Sequence, residues 1–89
     1  MIKIASIKPK AGYRLEIVFS DNSRGVADLS DLVSQEGAMV QPLKNEAYFS
    51  RVFLEAGAPT WPNGFDLAPW ALHKNLDAAG LLDRSGQAA

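Results

Sequence analysis

Trp61, Asn63 and Asp66 place an indole, an amide and a carboxylate within six positions of one another. They lie in the run Trp61-Pro62-Asn63-Gly64-Phe65-Asp66-Leu67-Ala68-Pro69, the part of the chain densest in special backbone chemistry. An indole can stack on a small ligand while the amide and carboxylate grip its polar groups. The same residues also have a complete structural account. Asn63-Gly64 supplies positive φ for a turn after Pro62, Asp66 caps a following helix, and Trp61 fills the core. The structural account leaves no residue unexplained and is preferred, with ligand binding at Trp61–Asp66 as an alternative.

The other chemistry-bearing residues follow just downstream. Trp70 lies two positions, roughly 200°, from Leu72 around a helix, so it shares a face with Lys74 and Asp77. An indole on a solvent face is an interface anchor unless it folds back over the prolines at 62 or 69. His73 and Asp77 have the i, i+4 spacing of two metal ligands, but the chain has no second His. A solvent-exposed His73–Asp77 pair is therefore expected, with no metal and no cofactor. A serine triad would have to use His73, and no Gly-x-Ser-x-Gly elbow is present. Phosphate-loop and dinucleotide glycine signatures are also missing. Asp28 and Asp66 could act as acid and base, but both are better explained as capping residues. At this length there is also little room for a pocket of ~300 Å³ or more. No catalytic residue is assigned and no enzyme activity is expected.

Composition narrows the partners. The 89 residues make one domain, 47% apolar and 21% charged, with no Cys. That excludes a disulfide framework and a thiolate nucleophile, and it fits a cytoplasmic location. No apolar run approaches the ~18 residues of a membrane span, and no signal-peptide core opens the chain. The net charge of −1 is unevenly spread. Lys3, Lys8, Lys10, Arg14 and Arg24 outweigh Glu16 and Asp21 in the first 24 residues, and acids dominate the remainder. A basic end could meet nucleic acid, although strand lysines also discourage edge-to-edge aggregation, and the second reading is preferred.

Positioning these residues requires a set of short elements. Tyr13, Leu15, Ile17 and Phe19 alternate with Arg14, Glu16, Val18 and Ser20, the clearest strand in the chain. Ile2 and Ile4 share one parity and Ile7 the other, which predicts a bulge near Ala5-Ser6. Pro9, Ala11 and Gly12 predict the first turn and Ser20 to Ser23 the second, with Arg24 to Leu29 returning as a third strand. Ser30 to Val33 predicts one helical turn before Gly37, followed by a buried connector of Met39, Val40, Pro42 and Leu43. Asn45 caps a helix whose inner face is Tyr48, Phe49 and Val52. Val52 to Glu55 and Gly57 to Trp61 predict a short hairpin. A last helix from Leu67 or Ala68 to Ala79 carries Leu72, Leu76 and Ala79 toward the core and stops at Gly80, with Leu81 making the closing apolar contact. Gly25-Val26-Ala27-Asp28-Leu29-Ser30 echoes Gly64-Phe65-Asp66-Leu67-Ala68, which suggests one capping solution used twice. The expected fold is α+β: a three-stranded antiparallel N-terminal meander, a central helix, a short β-hairpin and a C-terminal helix. The expected domain spans 1–82, with a flexible tail over 83–89.

Tyr13-Arg14-Leu15, the Asp21 turn, Gly25-Val26-Ala27-Asp28-Leu29, Pro42-Leu43 and the Trp61 to Pro69 run together resemble the small bacterial family called domain of unknown function 2442. The resemblance covers about residues 2–76, and the Trp-Pro-Asn-Gly-x-Asp-Leu run is its most specific part. It implies an α+β domain of regulatory or partner-binding character, in some relatives followed by a helix-turn-helix domain. Two features depart from the family habit: Asp21-Asn22-Ser23 stands in place of Asp-Gly, and Trp70 in place of a polar residue. These readings converge on a non-enzymatic interaction module that binds an unidentified protein partner or itself, through an open strand edge or the Trp70 face. The alternative is a nucleic-acid-associated regulator using the basic strands.

Overall fold

The structure, a computed structural model, describes residues 1–84. Strands β1 (Ile4–Lys10), β2 (Arg14–Phe19) and β3 (Arg24–Asp28) form an antiparallel sheet in the order β1-β2-β3. Leu15, Ile17 and Phe19 point to one side and are wholly buried, as period-two alternation demands. Ile4 pairs with Phe19 and Ser6 with Val18, so Ala5 is the extra residue of a bulge. That residue lets Ile7, opposite Ile17, rejoin the inner face that Ile4 occupies. The β2–β3 turn is closed by Asp21, whose carboxylate accepts from both the Ser23 N–H and the Ser23 hydroxyl.

Helix α1 (Ser30–Val33) is the single turn expected, and Asp28 accepts from the Ser30 N–H at 2.9 Å ahead of it. The Lys44 ammonium donates to the carbonyls of Val33, the last residue of α1, and of Gln35 just beyond it. In the connector, Val40 and Leu43 are buried, but Met39 is exposed. The central helix α2 (Glu46–Phe49) is one turn long, and the Asn45 side chain accepts from the N–H groups of Ala47 and Tyr48. A hairpin of β4 (Phe53–Glu55) and β5 (Ala58–Thr60) leans on the first sheet, where the Ile4 N–H reaches the Gly57 carbonyl at 2.9 Å. Gly57 is required at that contact, because a Cβ would stand 2.8 Å from Lys3.

Helix α3 (Pro69–Ala78) covers the inner face with Leu72 and Leu76. Asp66 does not cap it. Ala68 holds the N-cap position with no side-chain bond, and Asp66 instead bridges Thr60 in the hairpin layer. Pro69 at the first helical position brings no N–H that needs a partner, and its fixed φ suits the start of a helix. The echo between the two Asp-Leu segments is therefore one of sequence alone. Ala79 is solvent-exposed, outside the core stripe, because the helix ends before it. Gly80, at φ 72°, closes the helix, with the Leu81 N–H on the Leu76 carbonyl and the Gly80 N–H on that of Asp77. The closing apolar contact falls to Leu82, while Leu81 faces solvent. Asp83, expected in the tail, forms a bridge to Arg24 on the edge of β3. Residues 85–89 of that tail lie outside the described residues.

Candidate functional site

The motif residues serve as structure. Trp61 is 0% exposed, and its indole N–H donates to the Phe49 carbonyl at 2.9 Å. Its ring lies between Phe49 and Phe65, at 5.7 and 5.8 Å between centroids. An indole held this way joins α2 to the hairpin layer and offers no face for stacking. The turn after Pro62 places positive φ on Gly64, at 89°, and not on Asn63. Asn63 accepts from the Phe65 N–H and donates to the Met39 carbonyl, so its amide is committed locally. A hollow of about 490 Å³ does lie beside the motif, lined by Glu55, Ala58, Thr60, Gly64 and Asp66. Trp61 does not line it. Hollows of ligand size thus exist on a chain expected to have little room for them, but the one beside the motif takes in Asp66 without Trp61 or Asn63.

His73 and Asp77 do not form the expected pair. The helix turns His73 inward, where its Nε2 meets Asp21 at 3.0 Å and its ring stands edge-on to Phe19. Asp77 meets Arg84 at 3.5 Å on the solvent side. Only the tertiary fold could bring His73 to a carboxylate 52 positions away. Among the described residues there is no group of three or more His, Cys, Asp or Glu able to hold a metal.

Ser23, Asp21 and His73 form a chain of hydrogen bonds with the wrong order for nucleophilic catalysis. An active serine needs the imidazole next to its hydroxyl, whereas here the carboxylate lies between them. Ser23 is also wholly buried. The arrangement works as a clasp holding the β2–β3 turn to α3. Burial raises the Asp21 pKa, but the Ser23 hydroxyl, the Ser23 N–H and the hydrogen bond and charge of His73 together lower it, to about 2.

Lys8, Lys10, Arg14 and Arg24 share the outer face of the sheet, with Lys10 directly opposite Arg14, while Lys3 lies apart ahead of β1. On the outer face of the sheet Lys10 pairs with Glu16 at 3.3 Å, and the Arg14 guanidinium donates to the Ala11 carbonyl. Register sets Lys8 opposite Glu16 and Arg14 opposite Asp28, so acids interrupt the cations. Arg24 lies at the β3 edge, and the stem of Lys3 packs on Gly57 at the hairpin.

Trp70 is 63% exposed on the first turn of α3, with Lys74 and Asp77 also exposed. A second apolar surface was not anticipated. Val26, 40% exposed, and Leu81, 61% exposed, border a hollow of about 440 Å³ over β2 and β3. The sequence signal was Val18 on the polar parity of β2, joined by Val26, which pairs with Glu16 on the same outer face.

These features define a small α+β domain with a filled aromatic core and apolar residues left at its surface. The chain belongs to the family described as Protein of unknown function (DUF2442), whose model matches residues 4–78. No curated protein and no solved structure matches it. No helix among the described residues is long and apolar enough to cross a membrane.

Proposed function

We propose that the domain is a small non-enzymatic interaction module of the bacterial cytoplasm, joining a second copy or a regulatory protein through the Trp70 face of α3. The observation that carries this reading is the contrast between the two indoles: Trp61 is sealed in the core and Trp70 is 63% exposed. Exposure of a large aromatic side chain to water costs solvation free energy that burial against a partner recovers, and tryptophan is enriched among residues that dominate binding. Lys74 and Asp77 give the face a polar rim. The non-enzymatic half is supported by the Ser23–Asp21–His73 order, which keeps the imidazole away from the hydroxyl.

Sedimentation equilibrium over a wide concentration range tests the reading, with iodide quenching of the two tryptophans as a second probe. Wild-type protein, alone or with its purified partner, should protect Trp70 from iodide as complexes form, and Trp70→Ala should abolish association while leaving the far-UV spectrum intact. Association unchanged by Trp70→Ala would refute the assignment.

A further inference from the structure

On α3 the exposed residues Trp70, Lys74 and Asp77 follow one another at steps of four and then three. That is the spacing of a seam along which two helices interlock, and it lies opposite the Leu72 and Leu76 stripe that meets the core. Among the described residues no carboxylate lies within ion-pair distance of the Lys74 ammonium. Asp77 meets Arg84 at 3.5 Å through one oxygen, and its side chain stays 58% exposed, so the carboxylate has room for a second cation. Ala71 and Ala78 border the seam on one side and add only methyl groups, which lets a second helix approach to ~8 Å.

We propose that the Trp70 face of α3 is covered by α3 of a second copy of this chain, packed antiparallel about a twofold axis midway between Lys74 and Asp77. The seam complements itself in that direction and repels itself in the other. Reversing one helix about the midpoint sets each Lys74 against Asp77 of the other copy, two contacts of opposite charge related by the axis. Parallel pairing would set Lys74 on Lys74 and Asp77 on Asp77, two repulsions. The same reversal carries each Trp70 one turn beyond Asp77 of the other copy, over the end of its helix. Gly80 has no side chain to obstruct the indole there, and the Arg84 guanidinium beside Asp77 can lie against the ring. Ala71 comes against Ala78 of the other copy, small residue to small residue.

A second copy thus supplies every group the face needs, with no feature that the chain lacks. The proposal rests on the reading of the Trp70 face as an interface and names what covers it. A helix of 10 residues is ~15 Å long, too short to bury the ~1,200 Å² of a standard interface. The dimer is therefore of the weak, transient class, with a Kd of ~0.1–1 mM.

The test is sedimentation equilibrium of the 89-residue chain from ~20 µM to ~1 mM, a range that reaches the expected constant. Wild type should follow a monomer–dimer equilibrium. Lys74→Glu and Asp77→Lys, each alone, turn both attractions into repulsions and should weaken the dimer about tenfold. An equimolar mixture of the two variants, and the double variant Lys74→Glu/Asp77→Lys, restore opposite charges at both contacts. Each should recover to within about threefold of wild type, a rescue that separates lost pairing from lost folding. Monomer throughout the range would overturn the proposal while leaving a regulatory protein at Trp70 in place. Dimers indifferent to the single reversals, as parallel pairing requires, or a double variant as weak as the single ones, would overturn it too. Dimers unaffected by Trp70→Ala would overturn both this pairing and the wider reading of the face.

Discussion

The clasp between Asp21 and His73 sets how the fold responds to acid. The Asp21 carboxylate receives the Ser23 N–H at 3.0 Å, the Ser23 hydroxyl, and His73 Nε2 at 3.0 Å. Its pKa falls from 3.8 to about 2 in the folded chain, so the unfolded chain takes up the proton first as pH drops. The stabilisation is complete above about pH 5 and is lost as pH falls through 4 toward 2. A shift of this size corresponds to ~2.4 kcal/mol at 1.36 kcal/mol per unit. Solvent reaches 26% of the Asp21 side chain and screens part of the interaction, which lowers the expectation to ~1–2 kcal/mol. Urea unfolding followed by the buried Trp61, for wild type and Asp21→Asn at half-unit steps from pH 2 to 7, reads this directly. At pH 7 the variant should be ~1–2 kcal/mol less stable, and the two curves should converge near pH 2. Parallel curves across the range, or a variant within ~0.3 kcal/mol of wild type at pH 7, would refute the reasoning.

Two further outcomes follow from the backbone. Ala56 holds φ 52° in the β4–β5 turn, a left-handed conformation that costs an alanine ~1 kcal/mol, so Ala56→Gly or Ala56→Asn should raise the thermal midpoint. The two cap expectations also separate cleanly: Asn45→Ala should cost ~1 kcal/mol and Asp66→Ala less than ~0.5 kcal/mol by chemical denaturation, because only Asn45 has a side chain bonded to helix N–H groups.

The parts of the fold legible in the sequence were those governed by neighbours in the chain. The Ile2, Ile4 and Ile7 parity change located the β1 bulge, since one extra residue moves every later side chain to the other face. Asn45 announced its cap and Gly80 its helix stop, because both act within one turn. The second hairpin was legible, but not the strain inside it: Ala56 is no turn residue, and the pairing of β4 with β5 holds it at positive φ. Asp66 misled because the backbone bridge to Thr60 keeps it in the hairpin layer and the helix starts at Pro69, so Ala68 and not Asp66 takes the N-cap position.

The candidate surfaces divide the same way. Helix geometry alone put Trp70 on the face opposite Leu72, and it is indeed exposed. The inward turn of His73 toward Asp21 and the return of Asp83 to Arg24 arise only when α3 folds across the sheet. The sequence by itself determined the elements, their faces and the family, because backbone propensity and side-chain period are local. Tertiary structure decided which polar groups meet and where the C-terminal segment pairs with the sheet, because those depend on packing between segments up to 59 positions apart.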